Sequence, residues 1–264
     1  MLPANVNKKI TIIISVFNEE EGVNSFYNSL IENLTPIKDY FFEIIWVNDG
    51  STDKTKQILS SFCEKNIEKT INNVIIDFSK NYGHEAAMIA GIDSSSGDFI
   101  VCMDADGQHP ASEINNILKS FEKGVEIVVM KRLDREDYGF IKSTLTGLFY
   151  FIINVLSVYK FEKGSSDFFA ISKQVGQILR TNFREKNRFI RGFIQNIGFT
   201  KDVLPYNSPS RIYGESKYNY YKLLKHAVNA VFSFSNKPLR LSIIISLVFV
   251  GFTFLFGGYT LYMF

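Results

Sequence analysis

The sequence predicts an α/β protein, a mostly parallel sheet with helices on its faces, carrying a transmembrane helix at its C-terminal end. Three observations lead there. Short β-rich runs alternate with helical ones from residue 9 to residue 131. The β-rich runs are continuously apolar rather than alternating, as in strands covered on both faces. Residues 241–264 form a run of 24 without a single charge.

The strand candidates are KITIIISVF (9–17), FEIIWVND (42–49), NNVIIDFS (72–79), DFIVCMDAD (98–106) and EIVVMK (126–131). Stretches with helical character lie between them, at 19–34, 53–65, 83–94 and 111–123. Alternation at this spacing implies right-handed βαβ units and a mostly parallel sheet. In such sheets a ligand sits beyond the carboxyl ends of the strands. The polar residues at those ends are therefore the candidate site: Ser15–Glu20 after the first strand, Asn48–Asp53 after the second, and Asp104–Gln108 after the fourth.

Composition narrows the classes. The chain has 264 residues, 46% hydrophobic and 21% charged, with net charge +2. That near-neutral balance supplies no concentrated basic face, so no nucleic-acid partner is expected. Two cysteines far apart, Cys63 and Cys102, exclude a disulfide scaffold and a thiolate zinc site. There is no GxGxxG and no GxxxxGK[ST], hence neither a dinucleotide fingerprint nor a P-loop. Two aspartates one residue apart at a strand end, Asp104 and Asp106, can instead present oxygens to one hard cation, which in turn holds a diphosphate. Alone this is a weak signal, since aspartate is common in loops and caps; Asp53 reads as a cap of the following helix. His109 reads as structural.

The uncharged terminal run is long enough, at roughly 1.5 Å rise per residue, to cross a ~30 Å hydrocarbon core. A buried soluble helix is the other reading. The start, MLPANVNKK, has no apolar stretch of signal-peptide type. Lys222, Lys225, Lys237 and Arg240 precede the span and nothing charged follows it, which places residues 1–240 in the cytoplasm at a plasma or inner membrane. The expected divisions are a catalytic domain over 1–215, a juxtamembrane amphipathic helix over 216–240 and the span over 241–264. On a helical wheel the polar residues of 140–158 fall within an arc of about 120°, which suits a helix lying in the membrane interface; a core helix is the alternative.

The ordered set SVFNEEE, VNDGSTDKT, NYGHEAAMIAGIDSSSGD and DADGQHP resembles family 2 glycosyltransferases with the GT-A fold, a likeness that runs from residue 11 to 110. The resemblance implies donor binding by Val16, Asn18, Glu19, Asp49, Ser51 and Asp104, with Asp49 on the base of the sugar nucleotide. It implies a Mg²⁺ or Mn²⁺ ion on the donor diphosphate, surrounded by Asp104, Asp106 and Gln108. The single tryptophan, Trp46, lies inside a strand, so the QxxRW signature of processive synthases is absent. The segments KRLDRED, GSSDFFAIS, FIRGFIQNIGF and the GESKY stretch are similar instead to polyprenyl-phosphate glycosyltransferases, of the dolichyl-phosphate mannose synthase and bactoprenol glucosyltransferase types. Relatives of the bactoprenol type commonly read GDFR where this chain has Ser166-Asp167-Phe168-Phe169, and relatives commonly carry two membrane helices where the sequence through Phe264 contains one; Asp167 remains a pocket candidate.

A polyprenyl phosphate is already an anion and attacks the anomeric carbon without a strong base. It needs cations to approach a donor diphosphate, and Arg132, Arg135, Arg211 and Lys217 are the candidates. Asp104, Asp106 and Arg211 are expected to carry the reaction, a metal-assisted transfer with inversion from a nucleoside-diphosphate sugar, of the UDP-hexose type, to polyprenyl phosphate. A transferase acting on a glycan hydroxyl and a non-catalytic interaction module are the rival readings. The expected partners are the nucleotide sugar, the polyprenyl phosphate and the lipid bilayer, with room for a homo-oligomer.

Overall fold

A computed structural model describes residues 8–64, 70–133, 147, 165–184, 189–209 and 237–263. Among the described residues the strands are β1 (Lys8–Val16), β2 (Tyr40–Asn48), β3 (Ile71–Asp77), β4 (Phe99–Asp104), β5 (Ile127–Arg132), β6 (Ser165–Ser172) and β7 (Lys201–Tyr206). They form one sheet in the order β3-β2-β1-β4-β6-β5-β7. Pairs β1·β2, β1·β4, β2·β3 and β5·β7 are parallel, whereas β6 runs antiparallel to both β4 and β5. The helices are α1 (Val23–Leu34), α2 (Thr55–Glu64), α3 (His84–Ser94), α4 (Ile114–Glu122), α5 (Lys173–Asn182), α6 (Ile190–Asn196) and α7 (Lys237–Met263).

All five expected strands are present, each within three residues of its expected ends. The first helix is shorter than its apolar pattern. It begins at Val23 rather than near Glu19, because Asn18 takes a left-handed φ of 52°. The amides of Glu19 and Glu20 then bond across to the Thr55 hydroxyl and the Asp53 carboxylate instead of starting a helix. Asp53 also accepts from the Thr55 amide at 3.0 Å, the cap expected of it.

The central strands are buried on both faces, with Ile10, Ile12, Ile13 and Ile14 of β1 fully inaccessible. One side packs an aromatic group around Trp46: Tyr27 stacks on Phe62 at 3.9 Å, and the indole donates to Asn73 Oδ1 at 3.0 Å. On the other, α3 lies close on β1, since a Cβ added to Gly91 would stand 2.2 Å from Ile13 Cγ2. That approach delivers the N-terminus of α3 to the carboxyl end of β1. At the opposite ends of the strands Glu43 is buried under Lys9, Thr11 and Ser96, all hydrogen-bonded to its carboxylate.

The described residues of Met1–Glu136 and Lys163–Lys217 form one compact unit, and those of Asp137–Glu162 and Tyr218–Phe264 a second. In the second, α7 contains one segment long and apolar enough to cross a membrane, Ser242–Met263. Serine and threonine hydroxyls bond within the helix: Ser246, Thr253 and Thr260 donate to carbonyls four residues back at 2.7–2.9 Å. The expected interface helix (140–158), Gly147 aside, and residues 216–236 of the expected juxtamembrane helix (216–240), with Arg135, Arg211 and Lys217, lie outside the described residues; 237–240 belong to the first turn of α7.

Candidate active site

The site is built from strand ends in register. Val16 pairs Asn48, and Ser15 pairs Asp104. Hydrogen bonds lace the loops beyond them together. Asn18 N donates to Ser51 Oγ at 3.0 Å, Thr52 N to Asn18 Oδ1 at 2.8 Å, and Asp49 N to the Val16 carbonyl at 2.9 Å. Val16, Asn18, Glu19, Asp49 and Ser51 are thereby brought together as one wall. Gly50 (φ 68°) is required there, because a Cβ would stand 2.3 Å from the Lys80 carbonyl carbon.

Asp49 is 3% exposed, and both carboxylate oxygens accept backbone amides, from Tyr82 at 2.7 Å and Gly83 at 2.9 Å. Burial pushes its pKa up further than the amides pull it down. Its work within the protein is to pin the segment leading into α3, a role that the sequence reading did not foresee.

The DADGQ turn follows β4. Gly107 (φ 78°) reverses the chain, and Asp106 Oδ1 accepts the Gln108 amide at 3.0 Å. Gln108 Oε1 accepts from Arg132 Nη2 at 3.3 Å, and its carbonyl from the Ser208 hydroxyl at 3.0 Å. His109 is structural as expected: buried, stacked on Phe168 at 5.1 Å, its Nδ1 accepting the Asp104 amide at 2.9 Å. Burial holds its pKa down, which keeps that nitrogen a free acceptor. Among the described residues no three His, Cys, Asp or Glu side chains form a cage for a metal ion. Two carboxylates at one strand end fit instead a hard cation of the magnesium type, which completes its shell with substrate phosphate and water.

Beside Asp104 lies a charged cluster the sequence reading did not assemble. His84, the first residue of α3, places Nδ1 at 2.7 Å from Ser15 Oγ and 3.4 Å from Asp104 Oδ1. Its Nε2 is 3.8 Å from Asp167 Oδ2 on β6. Arg191 of α6 forks onto Asp167, Nε to Oδ1 at 2.9 Å and Nη2 to Oδ2. Glu85 accepts the Ile190 amide at 3.1 Å. Burial and the nearby Asp167 push the Glu85 carboxyl up to about 7. Burial also opposes charge on Asp167, but Arg191 and His84 outweigh it and hold the carboxyl low. Burial lowers His84, and Asp104 and Asp167 more than reverse this. His84 and Glu85 stood inside the NYGHEAA motif, but their neighbours come from β6 and α6, two elements with no clear periodic signal.

A sheet of this order, with acidic turns at the ends of β2 and β4 and no glycine cradle for phosphate, defines a GT-A-type nucleotide-sugar transferase fold. The Glycosyl transferase family 2 model matches residues 11–177, and the chain belongs to that family and is a glycosyltransferase. A bactoprenol glucosyl transferase of Shigella phage SfV is 34% identical over 251 residues, 95% of this chain and 80% of that protein. A putative glycosyltransferase of Bacillus subtilis, CsbB, is 35% identical over 88% of this chain and 68% of its own. Among solved structures, the mannosyltransferase PcManGT from Pyrobaculum calidifontis, in complex with GDP-mannose and Mn²⁺, aligns with a TM-score of 0.58 at 16% identity. That alignment covers 85% of this chain and 63%, under two thirds, of the mannosyltransferase. Glucosyl-3-phosphoglycerate synthase from Mycobacterium tuberculosis, in complex with Mn²⁺ and UDP, aligns with a TM-score of 0.52 at 14% identity, covering 85% of this chain and 77% of that one. At these identities the structural likeness concerns the fold.

Proposed function

We propose that the protein transfers a hexose from a nucleoside-diphosphate sugar, of the UDP type, to a polyprenyl phosphate at the cytoplasmic face of a plasma or inner membrane, with inversion. The carrying observation is the Asp106–Gln108–Arg132 arrangement, in which a guanidinium reaches a side chain two residues from the acidic pair. It puts a cation for an incoming anion beside carboxylates suited to a diphosphate–metal complex. Likeness to bactoprenol glucosyl transferases along 95% of the chain and the apolar helix α7 support a lipid acceptor.

In this reading Asp104 and Asp106 hold Mg²⁺ or Mn²⁺, with Gln108 beside them. The ion, when bound, offsets charge on the departing nucleoside diphosphate. Val16, Asn18, Glu19 and Ser51 form the wall for the nucleotide. Asp49 keeps that wall in place and lies at its base end. Arg132, with Arg135, Arg211 and Lys217, draws in the lipid phosphate; arginine forks match phosphate oxygens in geometry as well as charge. Because the acceptor oxygen is anionic before it attacks, no proton has to be removed from it.

The test is product analysis with the full chain in lipid or detergent, given radiolabelled UDP-glucose and other labelled nucleotide hexoses, Mn²⁺ and polyprenyl phosphate. Label that extracts into organic solvent, and depends on the added lipid phosphate, is the expected result. Label recovered only in a water-soluble glycan would replace this reading with transfer to a sugar hydroxyl.

A further inference from the structure

Three buried polar side-chain atoms among the described residues have no hydrogen-bond partner, and one of them, His84 Nε2, sits in the cluster beside Asp104. An unpaired buried donor or acceptor costs about 1–3 kcal/mol, so a position that retains one calls for an explanation. Its own neighbours do not supply one. Asp167 Oδ2 is 3.8 Å away, beyond hydrogen-bond reach, and the Arg191 fork holds it there. The other ring nitrogen is engaged with Ser15 at 2.7 Å.

The charge balance around His84 indicates what kind of group would meet it. Carboxylates of Asp104 and Asp167 lie 3.4 and 3.8 Å from its two ring nitrogens, Glu85 follows it on the helix, and the Arg191 guanidinium is forked onto Asp167. Oxygen acceptors gathered around one ring nitrogen make a poor seat for a phosphate. They suit hydroxyls, which donate to carboxylate oxygens and accept from an N–H. Arg132, whose guanidinium bridges to no carboxylate among the described residues, lies by Gln108 instead. Asp104 and Asp106 are thus flanked by two chemically different neighbourhoods, one acidic with a single spare N–H, the other basic. A sugar joined to a diphosphate at Asp104 and Asp106 meets the first, and an acceptor phosphate meets the second.

We propose that His84, with Asp167 and Glu85, forms the subsite for the hydroxyls of the transferred hexose, and that His84 Nε2 donates to one of them and so selects the sugar's configuration. This rests on the nucleotide-sugar reading above. A site that hydrogen-bonds a particular hydroxyl discriminates strongly against an epimer that misplaces it.

The experiment compares UDP, UDP-glucose, UDP-galactose and UDP-N-acetylglucosamine, each with Mn²⁺, binding to the full-length wild type, His84→Ala, His84→Gln and His84→Asn by calorimetry. His84→Ala is expected to keep UDP affinity within about twofold, while the added affinity given by the preferred hexose falls about tenfold, one hydrogen bond's worth. Discrimination between the glucose and galactose donors should narrow by the same factor. His84→Gln, whose amide reaches the Nε2 position, should restore part of it; His84→Asn, whose amide reaches only the Nδ1 position, should not. Equal losses for UDP and UDP-hexoses would overturn the proposal, since His84 would then act through Asp104 on the diphosphate. An unchanged hexose increment in His84→Ala would also overturn it. Lipid-linked product made by the wild type in parallel distinguishes the two levels. Its presence with a flat His84 profile removes this inference alone, and its absence with every donor removes the function it rests on as well.

Discussion

Asp104 and Asp167 stand opposite one another across the β4–β6 pair, with the His84 ring between them. The antiparallel register, Val101 to Ala170 and Cys102 to Phe169, brings Asp167 across from Asp104 when continued by two residues. Two carboxylates from strands more than sixty residues apart thus face a single imidazole, at 3.4 and 3.8 Å. Arg191 forks onto the same Asp167 carboxylate.

Removing that grip leaves a half-buried carboxylate without its fork. Arg191→Ala should destabilise the protein by about 1–2 kcal/mol, less than for a fully buried pair because water partly screens the site. Asp167→Asn in the same background should recover part of the loss, because the stranded charge is gone. Urea unfolding of the four members of the cycle in detergent measures both; strict additivity would show that the pair does not interact.

Asp106→Asn preserves shape while removing a charge that faces the proposed cation. Turnover should drop by about two orders of magnitude, the scale of losing one key electrostatic group. EDTA should abolish activity and Mg²⁺ or Mn²⁺ restore it. Full activity in EDTA would remove the metal from the mechanism.

In the proposed function Arg132 and Arg211 meet the acceptor phosphate. Alanine at either should cost roughly ten- to a hundredfold in transfer to polyprenyl phosphate, a charge-assisted contact of about 1.5–3 kcal/mol. Nucleotide affinity should stay within about twofold. Lysine should rescue only part, since a point charge does not reproduce a fork. Loss of nucleotide affinity instead would move the residue to the donor side.

Arg180 of α5 closes the C-terminal end of α3, donating to the carbonyls of Ile92 at 2.8 and 2.7 Å and Ser95 at 2.7 Å. Arg180→Ala exposes those carbonyls and should cost about 2 kcal/mol of stability. Activity per folded molecule should change little at moderate temperature. A fall in activity without a fall in unfolding midpoint would contradict a purely supporting role.

Two glutamates, Glu43 and the half-buried Glu85, should shift stability with pH in opposite directions. Burial opposes charge on Glu43, but Lys9, Thr11 and Ser96 outweigh it and the pKa is lowered. Its stabilisation is present above the unfolded carboxyl value, about 4.3, and is lost as pH falls through the folded one. Glu85 is raised to about 7, so its contribution is complete in acid and is lost as pH climbs from the unfolded value toward 7. Unfolding midpoints between pH 3 and 8, compared with those of Glu43→Gln and Glu85→Gln, should lose the acid and the neutral slope respectively.

The parallel half of the sheet was legible because strands buried on both faces are written as unbroken apolar runs, and the DADGQ turn because it follows such a strand directly. The loops around Val16, Asn18 and Ser51 were legible by the same topological rule. Other parts carried weaker marks. SSDFFAIS mixes polar and aromatic residues on a strand that meets β4 and β5 antiparallel. KDVLPY has a proline in an edge strand, a place where a missing amide is tolerated. With β6 and α6 unread, nothing in the chain itself could bring Asp167 and Arg191 to His84. Asp49 shows a different limit: its position was legible, but its acceptance of amides from Tyr82 and Gly83 depends on how a loop thirty residues later folds back.

The contact of Gly91 on Ile13 has a mechanical consequence. From residue 91 back to residue 84 is about 10 Å of helix, so a tilt of ~10° about that contact would move the His84 ring by roughly 2 Å. Helix α3 is a lever, and Gly91 is its fulcrum. A single methyl group at position 91 would prise the helix away from the strand and swing its far end, blurring the choice of sugar while the acidic turn after β4 stays where it is. Selectivity in this enzyme would then be lost through a residue that touches no substrate at all.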